Sequence, residues 1–216
     1  MEINSDISKR VVIRPEEQPF EETTGISQRV LERGRDEESR STSVVSLSPG
    51  TSLKMSCESG HEILVLEGEL DDESESFRKG DYLKSPPGSP HVYHTASGAT
   101  LFLKSRHLDP GEDQRILVRT SSRPWYQGLV DGLSVMPLSE SGTRHAALVR
   151  WEPGTRFNPH RHFGGEEIYV LEGVFADEFG KYPKGTWMRS PHLSAHCPYS
   201  VEGCVILVKT GHLLED

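Results

Sequence analysis

Apolar and polar positions alternate along this chain in short bursts. AALVRW (146–151), EIYVLEG (167–173), GTWMRS (185–190) and CVILVK (204–209) are rich in β-branched and aromatic residues and bounded by Gly, Pro or Asn. That pattern predicts strands. ADEFGKY and DDESESF lie between such runs and read as hairpin turns. The single helical hint, SSRPWYQGLV, opens on Ser and carries a Pro, and it is short.

The bursts repeat. ILVLEGELDDES from Ile63 echoes IYVLEGVFADEF from Ile168. Glu67-Gly68 and Glu172-Gly173 are 105 residues apart, as are Gly80 and Gly185, Pro86 and Pro191, and His91 and His196. Gly50 and Gly154 are 104 apart, so the first copy is one residue shorter between Gly50 and Ile63. The repeat predicts an all-β protein of two tandem antiparallel barrels, 1–110 and 111–216, with the boundary in the polar stretch HLDPGEDQR. The first fifteen or so residues are expected to be loose or to add an edge strand.

Composition narrows the function classes. The chain has 216 residues, a formal net charge of −9, 34% hydrophobic residues, 20 Gly and 14 Pro. The acidic balance speaks against binding a phosphate backbone. No apolar run is long enough to span a bilayer, and MEINSDISKRVVIRPEE has no apolar signal core. A cytoplasmic protein with no membrane or nucleic-acid partner is expected. Cys57, Cys197 and Cys204 form no CxxC and read as reduced thiols.

The copies diverge where the second carries PHRHFGGEE. His160 and His162, two apart, share one face of a strand. Gly164 and Gly165 can turn the chain. Glu166 then returns with the parity of Ile168 and Val170, whereas Glu167 has the opposite parity. His196 follows after a Pro-containing loop. A solvated loop is the bland reading of an isolated HxH. Within the repeat, His160, His162, Glu166 and His196 read as ligands of one transition metal. Imidazole and carboxylate suit Zn²⁺, Fe²⁺, Mn²⁺, Ni²⁺ or Cu²⁺, not Ca²⁺ or Mg²⁺.

In the first copy, His61 falls on Glu166, Cys57 on His162, His91 on His196, and Met55 or Ser56 on His160. Two readings stand side by side. The first barrel is structural, or it holds a rebuilt site of Cys57, His61 and His91, helped by Glu58, suited to zinc or copper. His94 reads as an exposed loop residue. Cys197 reads as core packing or as a redox-sensitive thiol near the metal, and Cys204 as core.

These motifs resemble those of the cupins. Gly154, His160, His162, Glu166 and Gly173 fit the first cupin motif without a gap. Gly185, Pro191 and His196 fit the second, with Leu193 and Ser200 replacing the usual Gly and Asn. HRHFGGEEIYVLEGVFADEFGKYPKGTWMRSP is similar to the ChrR-type cupin of zinc-dependent anti-sigma factors, over 125–213 and more weakly over 25–107. The resemblance implies jelly-roll-like barrels and those four residues as metal ligands, most often for zinc; iron, nickel and manganese are the alternatives. The HxxxCxxC zinc motif of the anti-sigma factors has no counterpart, since the first cysteine is Cys57 and the first histidine His61. Direct sigma inhibition is therefore not carried over. The expected function is a regulatory metal-binding sensor with a small-molecule ligand or a protein partner. The alternative is a dioxygenase of small diketone-like molecules. A lyase or isomerase has less support, because no separate general base stands out. A homodimer paired through sheet edges is expected.

Overall fold

The structure, a computed structural model, describes residues 1–36, 39–56, 60–88, 91–108 and 111–214. Within them the chain is all-β, and its one helical element is a short 3-10 turn, Thr120–Ser122. The stretch SSRPWYQGLV thus forms no α-helix. Pro124 forces the residue before it out of helical geometry, and Arg123 is extended at φ −91°, ψ 139°. No helix among the described residues is long and apolar enough to cross a membrane.

The chain forms two compact units, Met1–Ser5 with Gln18–Arg123, and Asp6–Glu17 with Pro124–Asp216. The second unit is an antiparallel sheet. Its order is Val11–Ile13, Trp187–Ser190, Glu166–Asp177, Cys204–Thr210, Arg144–Trp151, Leu133–Ser141 and Tyr126–Gln127. Gly180–Pro183 folds back on the end of Glu166–Asp177, and His160–Arg161 pairs with Ala195–His196. Inward-facing Val149, Trp151, Ile168, Val170, Phe175, Met188 and Ile206 build its core. Each such side chain contributes roughly 1.5–3 kcal/mol on burial.

The first unit repeats this order with Ile116–Val118, Tyr82–Ser85, His61–Asp71, Ala99–Ser105, Ser41–Leu47, Ile26–Arg33 and Glu21–Thr23. Its core comprises Val45, Ile63, Val65, Phe77, Leu83, Tyr93 and Leu101, among others. The shared LEG triplet has a steric cause. Gly173 has φ +68°, and a Cβ there would lie 2.1 Å from the Gly203 carbonyl oxygen. Gly68 has φ +77° and would meet the Gly98 oxygen at the same 2.1 Å. Both sit beside a bulge that bends the long strand.

The edge strands are exchanged between the copies. Val12 registers with Met188, and Leu117 registers with Leu83. Both pairs keep the 105-residue offset, yet Val11–Ile13 belongs to the second unit and Ile116–Val118 to the first. The initial segment is therefore an edge strand, with Ile7 and Ile13 buried. The first unit continues past residue 110 to Arg123.

Candidate metal centre

Three pieces of backbone build the centre. His160 and His196 face each other across a short antiparallel ladder. His162 is held by the next turn: its N–H donates to the Ser194 carbonyl at 2.9 Å, and its carbonyl accepts from Leu193 N–H at 2.9 Å. Leu193 is left-handed at φ +62°. The turn thus keeps the backbone that glycine usually provides, and the leucine side chain projects half-exposed. Glu166 opens its strand between Ser190 and Thr210.

The candidate ligand atoms of His160, His162, Glu166 and His196 all lie within 4.8 Å of one another. The Nε2 atoms of His160 and His162 are 3.1 Å apart. Glu166 Oε2 is 3.5 Å from Nε2 of both His162 and His196. The outer ring nitrogens are engaged elsewhere. His160 Nδ1 donates to the Asn158 carbonyl at 3.0 Å, and His162 Nδ1 is hydrogen-bonded with Ser194 Oγ at 3.0 Å. His196 Nδ1 lies 3.5 Å from Asp177 Oδ2. Such contacts fix ring orientation and leave Nε2 for a metal.

The donor set fits a divalent transition metal. Glu166 Oε2 and His196 Nε2 are buried without a hydrogen-bond partner among the described residues. Burial pushes the Glu166 carboxyl up to about 7 and, with the neighbouring imidazoles, pushes His162 down to about 3. His160 is lowered too, mainly by burial. Neutral imidazoles are the ligating form, and a cation would offset the cost of ionising a buried Glu166. The cluster could therefore hold a metal ion.

The sequence reading missed the support behind His196. Asp177 Oδ1 accepts from Tyr182 Oη at 2.7 Å and from the N–H groups of Phe179 and Gly180 at 2.8 and 3.0 Å. Burial would raise its pKa, but hydrogen bonds from His196, Tyr182 and the Phe179 N–H hold it below the usual value. Arg10 reaches in from the exchanged N-terminal strand region. Its guanidinium donates to Tyr182 Oη at 2.7 Å and to Asp177 Oδ2 at 3.2 Å. The repeat carried the signal: Arg115 pairs with Asp72 at 2.8 Å in the first unit, again 105 residues away at each partner. Arg10→Ala is expected to weaken metal affinity about tenfold, the lower end for loss of an outer-shell partner. Competition with a chromogenic chelator measures it; unchanged affinity would show that Asp177 holds His196 unaided.

A profile of the ChrR cupin-like domain matches residues 8–109 and again 113–214. The chain belongs to the ChrR cupin-like family. No curated protein matches it in sequence. Solved structures share the fold at low identity. A candidate dioxygenase from Nostoc punctiforme has 15% identity and TM-score 0.79, covering 97% of this chain and 85% of that one. A candidate glyoxylate-induced protein from Pseudomonas aeruginosa has 16% identity and TM-score 0.77, covering 97% and 91%. A deletion mutant of Bacillus subtilis oxalate decarboxylase has 16% identity and TM-score 0.67, covering 98% and 79%.

The first cupin is built differently at the equivalent place. Cys57 and Glu58 lie outside the described residues. Met55 pairs with His91, so Met55 takes the position of His160. His61 and His91 are neighbours, with ring centroids 5.3 Å apart. A hydrogen bond of 2.7 Å joins His61 Nε2 to Tyr93 Oη, and His91 stacks on Tyr93 at 5.8 Å. Burial lowers His61 to about 4. Among the described residues no group of three metal-ligating side chains forms in this cupin. His94 is exposed, on a strand rather than a loop.

In the second cupin Glu167 takes the face opposite Glu166 but is buried. It accepts from Trp187 Nε1 at 2.8 Å and meets His212 Nε2 at 3.0 Å. Cys197 is half-buried, its Sγ 3.4 Å from the Phe157 carbonyl. Cys204 is core, and burial pushes its thiol up to about 11, far from a reactive thiolate. His160, Glu166 and His196 form part of the wall of an otherwise largely apolar cavity of about 500 Å³.

Proposed function

We propose that this protein is a metal-dependent enzyme acting on a small organic molecule, with His160, His162, Glu166 and His196 holding one divalent transition metal. The observation that carries this reading is the cavity against which three of those four side chains open. Structural metal sites are closed by protein ligands, whereas catalytic ones keep an open side. A volume of about 500 Å³ is that of a small-molecule site.

When bound, the metal would supply Lewis-acid polarisation of a substrate oxygen and, if iron, reactivity towards dioxygen. The chain's own residues orient and exclude. Asp177, Ser194 and the Asn158 carbonyl hold the imidazoles in place. Trp151, Phe157 and Phe175 keep water from the wall beside His160 and His196. Oxidative cleavage of a small diketone-like molecule is the favoured chemistry, since the chelating oxygens would face the ligand cluster and the hydrocarbon the apolar wall.

The test is oxygen uptake. Protein reconstituted with iron(II) under anaerobic conditions is expected to consume dioxygen with a saturable dependence on benzoylacetone, and the zinc form to be inert. Tight zinc with no uptake by the iron form would sink the oxygenase reading. It would favour the second one, a regulatory metal sensor, which the ChrR family match supports. In that reading the metal ties the 160–166 loop to the distant His196, so occupancy would set the order of that loop.

A further inference from the structure

The cavity wall is selective in charge. It carries no lysine or arginine among the described residues that form it. A divalent metal with Glu166 leaves a net charge of about +1 at the ligand cluster. A dianion there would retain an uncompensated buried charge, which is costly. A monoanion would cancel the charge of the cluster. The wall beside the cluster is aromatic. Trp151 and Phe175 have centroids 5.6 Å apart, and Phe157 lies 4.9 Å from the His160 ring. Flat or branched hydrocarbon packs well on such a surface.

Polar groups return at one place. His145 pairs with Thr210 across the sheet, and Thr210 pairs on its other side with Glu166. His145, Thr210 and Glu166 thus lie in one row over three adjacent strands, and all three line the cavity. His145 shares the parity of Ala147, Val149 and Trp151, which line it too. It sits two strand spacings from Glu166, roughly 10 Å. It is solvent-exposed, so it stands at the rim with its imidazole available.

We propose that this cavity takes a small aromatic or branched apolar molecule with one oxygen group directed at the metal and a second polar group hydrogen-bonded by His145, and that it rejects dicarboxylates. This rests on the metal-site reading above and adds the substrate class. His145 is the specificity-determining residue, and it recognises the end of the ligand remote from the metal.

The probes are benzoate, 4-hydroxybenzoate and oxalate, titrated by calorimetry into the full-length zinc-loaded protein, where no turnover is needed. 4-Hydroxybenzoate is expected to bind at least tenfold more tightly than oxalate. His145→Ala is expected to weaken 4-hydroxybenzoate about tenfold while leaving benzoate within twofold. His145→Gln, which keeps a donor on the same strand, should recover part of the loss. Oxalate binding as tightly as 4-hydroxybenzoate would overturn the proposal. So would equal losses for both benzoates, no loss in His145→Ala, or no binding of any probe. Selective binding without oxygen uptake by the iron form would keep the ligand class and sink only the oxygenase chemistry.

Discussion

His162→Ala is expected to abolish metal retention and, with it, all metal-dependent stability. His162 is buried at 5% exposure, its Nδ1 is held by Ser194, and its Nε2 points at His160 and Glu166. Alanine removes a ligand and leaves its place empty, so affinity should fall more than the 10–100-fold typical of outer-shell losses. A metal present at a thousand times its Kd stabilises the folded state by about 4 kcal/mol. For a unit of roughly a hundred residues that corresponds to ~15–30 °C in Tm. Wild-type protein should therefore melt well above its chelator-treated form, whereas the two forms of His162→Ala should melt together. Comparing loaded with stripped protein cancels any packing cost of the substitution. Elemental analysis after dialysis gives the occupancy directly. One retained equivalent in the variant would show that the metal is held elsewhere.

How far the sequence carries depends on whether a feature is local or repeated. Strand parity places His160 with His162, and Glu166 apart from Glu167, because a pleat alternates faces with period two. The 105-residue repeat carries the architecture, since two copies of a pattern are much harder to produce by chance than one. What escaped was long-range or bound to one special backbone. Arg10 meets Asp177 across 167 residues of chain, and only the exchange of edge strands brings them together. Tyr93 stands where the second copy has Pro198, so alignment on histidines gave no reason to examine it. The helical hint failed on Pro124, whose ring ends the turn after a few residues. Leu193 illustrates the opposite case. The motif expects glycine there, and the backbone is left-handed despite the leucine.

Gly164→Ala should damage both the fold and the metal centre of the second cupin. Gly164 joins the His160–His162 arm to Glu166 and has φ +74°. A left-handed backbone costs an ordinary residue about 1–2 kcal/mol. The added Cβ would also lie 2.5 Å from Gly211 Cα and 2.8 Å from its carbonyl carbon. Both are backbone atoms, so no rotamer change can relieve the contact. Nor can the loop drift freely, because Gly164 O accepts from Leu213 N–H at 2.7 Å and Gly165 O from Gly211 N–H at 3.2 Å. A total loss of about 3 kcal/mol or more is expected, in the range of severe steric lesions. Gly154→Ala separates the causes, since Gly154 has φ +82° but nothing within 4 Å of an added Cβ. It should show the backbone cost alone and keep its metal. Gly164→Ala should lose both stability and metal, because moving this loop carries His162 away from Glu166. Denaturant unfolding of the two variants, each with its metal content measured, decides the matter. Equal destabilisation would mean that 164–165 yields to the methyl group, and the ligands would then owe their placement to the turn at Leu193 and Ser194 instead.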